Sequence, residues 1–155
     1  MRSGFPPASR TDYRVQRARR ARDAFLDACD LLMTATFEIT KSATFDAAHY
    51  FAEGPEHRPY SNMHGHSFKV EATVRGVPQE PVGWVADLAD LDQALRAVAG
   101  ELDHRLLNEL PGLERPTLEH LCLYFSERLK APFPGLCRVV VSRPTIGESC
   151  AMAVD

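Results

Sequence analysis

Two stretches of alternating apolar residues, separated by a loop rich in chain-breaking residues, constrain the fold of this chain more than any other feature. From 36 to 47, Phe37, Ile39, Ala43, Phe45 and Ala47 fall mostly two apart. From 66 to 75, Phe68, Val70, Ala72 and Val74 do the same. A period of two places side chains on one face of a strand, so each stretch reads as a half-buried strand. The run 51–63 between them holds Gly54, Pro55 and Pro59, which favour turns over regular structure. Strand, loop and strand in succession predict an antiparallel pair.

The rest of the chain supplies the covering layer. Two Pro and a Gly between Val77 and Gly83 mark a turn. Asp87 or Asp90 caps a helix running to about Glu101, with Leu88, Leu91, Leu95 and Val98 as its apolar stripe. Pro111 and Gly112 interrupt the chain. Pro116-Thr117-Leu118-Glu119 then reads as a helix start, carried to Lys130 by Leu118, Leu121, Leu123, Phe125 and Leu129. Pro132 and Pro134 end it. Residues 137–142 predict a third strand and 148–154 a short fourth. The order β-β-α-α-β-β defines an α+β fold, an antiparallel sheet with two packed helices.

Charge divides the chain in two. Residues 1–32 carry seven Arg against four Asp, whereas the whole chain has a net charge of −3. A basic head on an acidic body reads as a separate extension, disordered over 1–10 and helix-capable over 11–32. The expectation is a domain at 33–155 and a dispensable head, with two explanations of that head: translation that really begins at Met33, which is the favoured one, or an Arg-rich targeting or docking segment, which Arg without Lys fits poorly. The net charge gives no nucleic-acid footprint, and no apolar run approaches the ~20 residues of a membrane helix. Cys29, Cys122, Cys137 and Cys150 form no C-x-x-C pair and read as reduced thiols of a cytoplasmic protein.

Three of the six histidines fall where a metal site needs them. His64 and His66 are two apart at the start of the second strand, so both imidazoles face one side, with Gly65 between them. His49 ends the first strand. If the strands pair, it joins them as a third ligand. Three His with an open position is a catalytic zinc arrangement, although imidazole also suits other first-row divalent ions. His57 in the Pro-rich loop is expected to be solvated, and His120 to be structural.

The runs Phe45-Asp46-Ala47-Ala48-His49 and His64-Gly65-His66-Ser67-Phe68 resemble the 6-pyruvoyltetrahydropterin synthase and 6-carboxytetrahydropterin synthase (queuosine-pathway) family, where F-x-A-A-H and H-G-H-x-[FY] supply three zinc-binding histidines. Downstream, Gly83-Trp84-Val85-Ala86-Asp87-Leu88, Leu102-Asp103-His104 through Asn108, and Pro116-Thr117-Leu118-Glu119 resemble its G-M-V-x-D-F, L-D-H-x-x-L-N and P-T-x-E-N. The resemblance implies the tunnelling fold, in which three subunits close a β-barrel and two trimers stack as a hexamer. It implies a zinc-dependent lyase acting on 7,8-dihydroneopterin triphosphate and giving 6-carboxytetrahydropterin or a related tetrahydropterin. Asp103 and His104 match the family's catalytic pair, and Thr117 and Glu119 fall in a substrate-binding segment.

Two departures from the family pattern bear on chemistry. The usual Cys four residues before H-G-H is here Tyr60, a phenol with an ordinary pKa of about 10 and therefore a weak base at neutral pH. The family's pterin-holding Glu is missing from Val141-Ser142-Arg143-Pro144-Thr145. Glu148 is the candidate replacement, and Arg143 suits a phosphate or carboxylate. These departures keep open a pterin aldolase or hydratase, or a non-catalytic metal- or pterin-binding relative.

Overall fold

The computed structural model describes residues 10–53 and 58–155. A helix, α1 (Arg10–Thr34), leads into the strand β1 (Phe37–His49), which turns through the loop to β2 (His64–Gly76). Then follow α2 (Leu88–Leu102), α3 (Leu118–Leu129), β3 (Leu136–Arg143) and β4 (Glu148–Ala153). The strands form one antiparallel sheet in the order β1-β2-β3-β4, so the expected α+β architecture is the one observed. No helix among the described residues is long and apolar enough to cross a membrane.

The alternation in sequence becomes two faces in space. Ala43, Phe45 and Ala47 of β1, Phe68, Val70, Ala72 and Val74 of β2, and Val139 and Val141 of β3 are all buried. The buried residues of α2 and α3 close over this face: Leu91, Leu95, Val98 and Leu102 from one, Leu121, Phe125 and Leu129 from the other. Phe45 stacks on Phe68 at 5.0 Å between ring centroids, and Phe125 of α3 meets Phe45 at 5.9 Å. Burying aromatic area of this kind is worth about 1.5–3 kcal/mol per side chain before cavity effects.

The helix caps are the expected ones. Asp87 accepts from the Ala89 N–H at 2.7 Å and starts α2, and the Thr117 hydroxyl caps α3 by accepting from the His120 N–H. Two residues assigned to apolar stripes are exposed instead: Leu88 at 45 % and Leu123 at 49 %. Leu123 is two residues from both Leu121 and Phe125, about 200° around a helix of 3.6 residues per turn, so it faces away from the core. Leu88 is the first helical residue, at the end of the stripe.

The chain leaves α2 sharply and crosses to the sheet. Asp103 ends the helix, and His104 takes a left-handed φ of 56°, uncommon for a residue with a Cβ. The backbone then docks on the free edge of β1. The His104 N–H donates to the Asp46 carbonyl at 2.6 Å, and the Ala48 N–H to the Arg105 carbonyl at 2.9 Å. In α1, every described side chain from Tyr13 to Leu26 is exposed. Residues 1–9, expected to be disordered, lie outside the described residues.

Candidate metal centre

The core-facing row of the β1–β2 pair ends in histidines. Phe45 stands opposite Phe68, Ala47 opposite His66, and His49 opposite His64. The same alternation that fills the core therefore brings three imidazoles together. Their ring centroids are 4.6 Å apart for His49–His64, 5.2 Å for His49–His66 and 4.9 Å for His64–His66. One nitrogen from each lies within 4.8 Å of the other two. Phe68 packs edge-on beneath, 5.9 Å from His49 and 5.8 Å from His66.

Hydrogen bonds fix the orientation of two rings. His49 Nδ1 donates to the Pro116 carbonyl at 3.0 Å, and His64 Nδ1 donates to the Asn62 carbonyl at 2.8 Å. Each ring then keeps its lone pair on Nε2. His49 is 1 % exposed, and its Nε2 is buried without a hydrogen-bond partner. A buried orphan acceptor costs free energy unless something uses it. A metal ion would do so, and a carbonyl on the opposite nitrogen is the usual way a ligating histidine is oriented. The three residues therefore fit a first-row divalent ion, with imidazole donors that suit zinc.

The electrostatics favour neutral rings at His49 and His66. Burial pushes His49 down to about 4, against the raising effect of the Pro116 carbonyl, and His64, His66 and Arg143 push it the same way as burial. His66 is lowered as well, first by burial and then by Arg143. A neutral imidazole is the form that binds metal.

A cleft of about 460 Å³ opens beside the triad, lined by Phe51, Tyr60, His64, His66, Arg143 and Glu148 among others. Tyr60 is held by its backbone, whose carbonyl accepts from the Phe51 N–H at 3.0 Å, and its ring meets Phe51 edge-on at 6.0 Å. Glu148 stands opposite Arg143 across the β3–β4 hairpin, and the two pair at 2.6 Å. Gly147, with φ 72°, makes that tight reversal possible. Of the described cysteines, Cys122, Cys137 and Cys150 are free thiols, and none lines this cleft.

Asp103 and His104 pair at 2.8 Å between Oδ2 and Nδ1, while the Asp46 N–H donates to the other carboxylate oxygen at 2.9 Å. That backbone donor, followed by His104, holds Asp103 below the usual carboxylate range, and the Asp103 hydrogen bond raises His104. The His104 side chain is 80 % exposed. It lines a second cleft, with Asp46, Gly65, Ser67 and His66, which shares His66 with the metal-side cleft but does not include Tyr60.

Thr117 lines a third cleft of about 620 Å³, which shares Phe51 and Tyr60 with the metal-side cleft. Glu119 lies exposed in the first turn of α3, outside all three clefts, its carboxyl lowered chiefly by the Thr117 hydroxyl. His120 Nδ1 bonds to the Thr117 hydroxyl at 3.0 Å, a structural contact at the helix start. His57 lies outside the described residues. Sequence reasoning missed the Pro116 carbonyl, which as a backbone group leaves no side-chain signal. It also assigned no task to Asn108, whose amide accepts from the Tyr50 N–H and donates to the Tyr50 carbonyl, holding the exit of β1 just beyond His49.

An α+β fold with three converging imidazoles at the mouth of a cleft defines a candidate metal-dependent active site. A profile of the 6-pyruvoyl tetrahydropterin synthase family matches residues 38–153, and the chain belongs to that family. It is 37 % identical over 97 residues to a dihydroneopterin monophosphate aldolase of Pyrococcus furiosus, covering 63 % of this chain and 78 % of that one. It is 34 % identical over 122 residues to a 6-carboxy-5,6,7,8-tetrahydropterin synthase of Synechocystis, covering 74 % and 88 %. The fold matches that of 6-pyruvoyl tetrahydropterin synthase from Caenorhabditis elegans with a TM-score of 0.69 and 22 % identity, over 78 % of this chain and 97 % of that one.

Proposed function

We propose that this chain is a zinc-dependent lyase that converts 7,8-dihydroneopterin triphosphate to 6-carboxytetrahydropterin or a closely related tetrahydropterin. The observation that carries the reading is the register of β1 on β2, which sets His49, His64 and His66 around one point with a buried, unused nitrogen on His49. Zinc held by these histidines would supply Lewis acidity, making protons beside a side-chain hydroxyl easier to remove.

The protein's own groups do the rest. Asp103 orients the His104 imidazole and raises its basicity, so His104 is the proton acceptor. Because His104 opens into a cleft that lacks Tyr60, Arg143 and Glu148, the pair serves a site completed by a second copy of the chain, consistent with a hexamer of two stacked trimers. A ring would also cover sheet edges that a single copy leaves open. Tyr60, in the metal-side cleft, donates a hydrogen bond or a proton to a side-chain oxygen. Glu148, and Thr117 in the adjoining cleft, hold the ligand.

A second reading has its own support. No described thiol lines the metal-side cleft, a phenol lies there instead, and one relative is named as an aldolase on dihydroneopterin monophosphate. Cleavage of the side chain by retro-aldol reaction is the corresponding alternative. Incubating zinc-loaded protein with dihydroneopterin triphosphate and, separately, the monophosphate, with products identified by mass spectrometry, tests both. A carboxylated or otherwise shortened tetrahydropterin supports the first reading, and a hydroxymethyl dihydropterin supports the second. Recovery of both substrates unchanged overturns catalysis.

A further inference from the structure

Arg143 is the cationic residue of the metal-side cleft, and its hydrogen bonds are unusual for a group so enclosed. Its side chain is 15 % exposed. Nη2 pairs with Glu148 at 2.6 Å, Nη1 contacts His66 Nε2 at 3.3 Å, and Nε is buried without a partner. A guanidinium carries only donors, so the His66 contact requires that Nε2 present its lone pair.

A neutral imidazole has one lone pair in the ring plane. If His66 binds an ion through Nε2, that lone pair is spent and Arg143 must leave. If it binds through Nδ1, Nε2 carries the proton, and two donors face each other. Under either tautomer the Arg143–His66 hydrogen bond and metal ligation by His66 exclude one another. The bond is long, and breaking it leaves a second buried donor of the guanidinium, beside Nε, in need of an acceptor.

Charge decides where the freed guanidinium goes. Arg143 and Glu148 are the charged side chains lining this cleft, and they cancel. A dication on three neutral histidines leaves a surplus of two positive charges in a partly enclosed space, where charges interact more strongly than in water. An anionic oxygen group on the ligand offsets that surplus, and the planar fork of an arginine matches a phosphate or carboxylate in two hydrogen bonds.

We propose that Arg143 is a specificity-determining residue of this site: it competes with the metal for His66 and, once displaced, binds an anionic oxygen group of the ligand, a phosphate ester of the dihydropterin side chain. The substrate half rests on the pterin reading above; the metal half does not. Selection for phosphorylated over unphosphorylated ligands arises from coupling: the bound ion frees the guanidinium and adds positive charge, and both favour an anionic ligand.

The test has two arms, using the full chain. In the first, zinc affinity is measured by competition with a chromophoric chelator for wild type, Arg143→Met and Arg143→Ala, with circular dichroism confirming the fold of each. Both variants are expected to bind zinc about tenfold tighter or more, having lost the competitor. Unchanged or weaker binding in whichever variant folds overturns the proposal. In the second, dihydroneopterin monophosphate and unphosphorylated dihydroneopterin are titrated calorimetrically into zinc-loaded protein. Wild type is expected to favour the phosphorylated ligand by about tenfold, and Arg143→Met to lose that preference. An equal preference in both proteins overturns the anion assignment. If neither pterin binds, inorganic phosphate is the probe: Arg143-dependent phosphate binding sustains the anion site while the pterin reading fails, and its absence removes the anion site as well.

Discussion

The buried imidazole of His49 ties the stability of the protein to pH in a window where few other groups act. Burial holds its pKa at about 4, against an ordinary 6.5. Between those values the unfolded chain binds a proton that the folded one refuses. Stability therefore rises with pH through the window, is fully present above 6.5, and is lost as pH falls towards 4. With these two pKa values, moving from pH 8 to pH 5 costs about 2 kcal/mol from His49 alone. The measurement is urea unfolding of chelator-treated protein at pH 8 and pH 5, at one fixed protein concentration. His66 is shifted in the same direction and His104 in the other, so the informative quantity is the difference between wild type and His49→Gln. The variant removes only the His49 contribution and should lose about 2 kcal/mol less between the two conditions. Excess zinc should enlarge the wild-type loss on acidification, because the ion binds the neutral rings. Equal losses in wild type and variant would refute the argument that His49 is held neutral inside the fold.

Three further outcomes are expected. His64→Ala should lose most of the bound metal, as elemental analysis of the purified protein will show, because two ligands hold an ion far more weakly than three. His104→Ala should reduce turnover by about 10²–10⁴-fold, the usual worth of a general base, and Tyr60→Phe should reduce it less; the reverse order in steady-state kinetics would exchange their roles. A chain starting at Met33 should fold, assemble and bind metal like the full one, since the described side chains of α1 from Tyr13 to Leu26 face solvent; insolubility of the shortened protein would show that the head belongs to the domain.

Much of the fold was legible in the sequence because period-two burial leaves a strong trace. Phe45, Ala47, Phe68 and Val70 announced the sheet face, Thr117 announced the start of α3, and the start of α2 was left between Asp87 and Asp90, of which Asp87 is the cap. His64 and His66 came from the same alternation. The pairing of His49 with His64 could be anticipated only conditionally, since register depends on cross-strand contacts that sequence spacing does not state. Leu123 shows the opposite failure: an apolar letter inside a helix carries no face until its angle is set against its neighbours. Arg143 was readable as an anion-binding type but not as a neighbour of His66, because strands 64–76 and 136–143 are brought together only by their pairing in the folded sheet.

The division of labour between sheet and loop has a consequence for how such a site can change. The histidines sit on two strands whose register fixes their spacing, so inserting one residue within β1 or β2 would turn the ligands to the other face. Phe51 and Tyr60, by contrast, stand at the two ends of a connecting segment and are joined by a single backbone hydrogen bond. Lengthening or replacing the chain between them carries only a modest entropic cost and leaves the ligand spacing untouched. The protein thus offers a rigid inorganic socket with an interchangeable rim, and new ligand preferences can be sampled at the rim by insertion or deletion without rebuilding the centre.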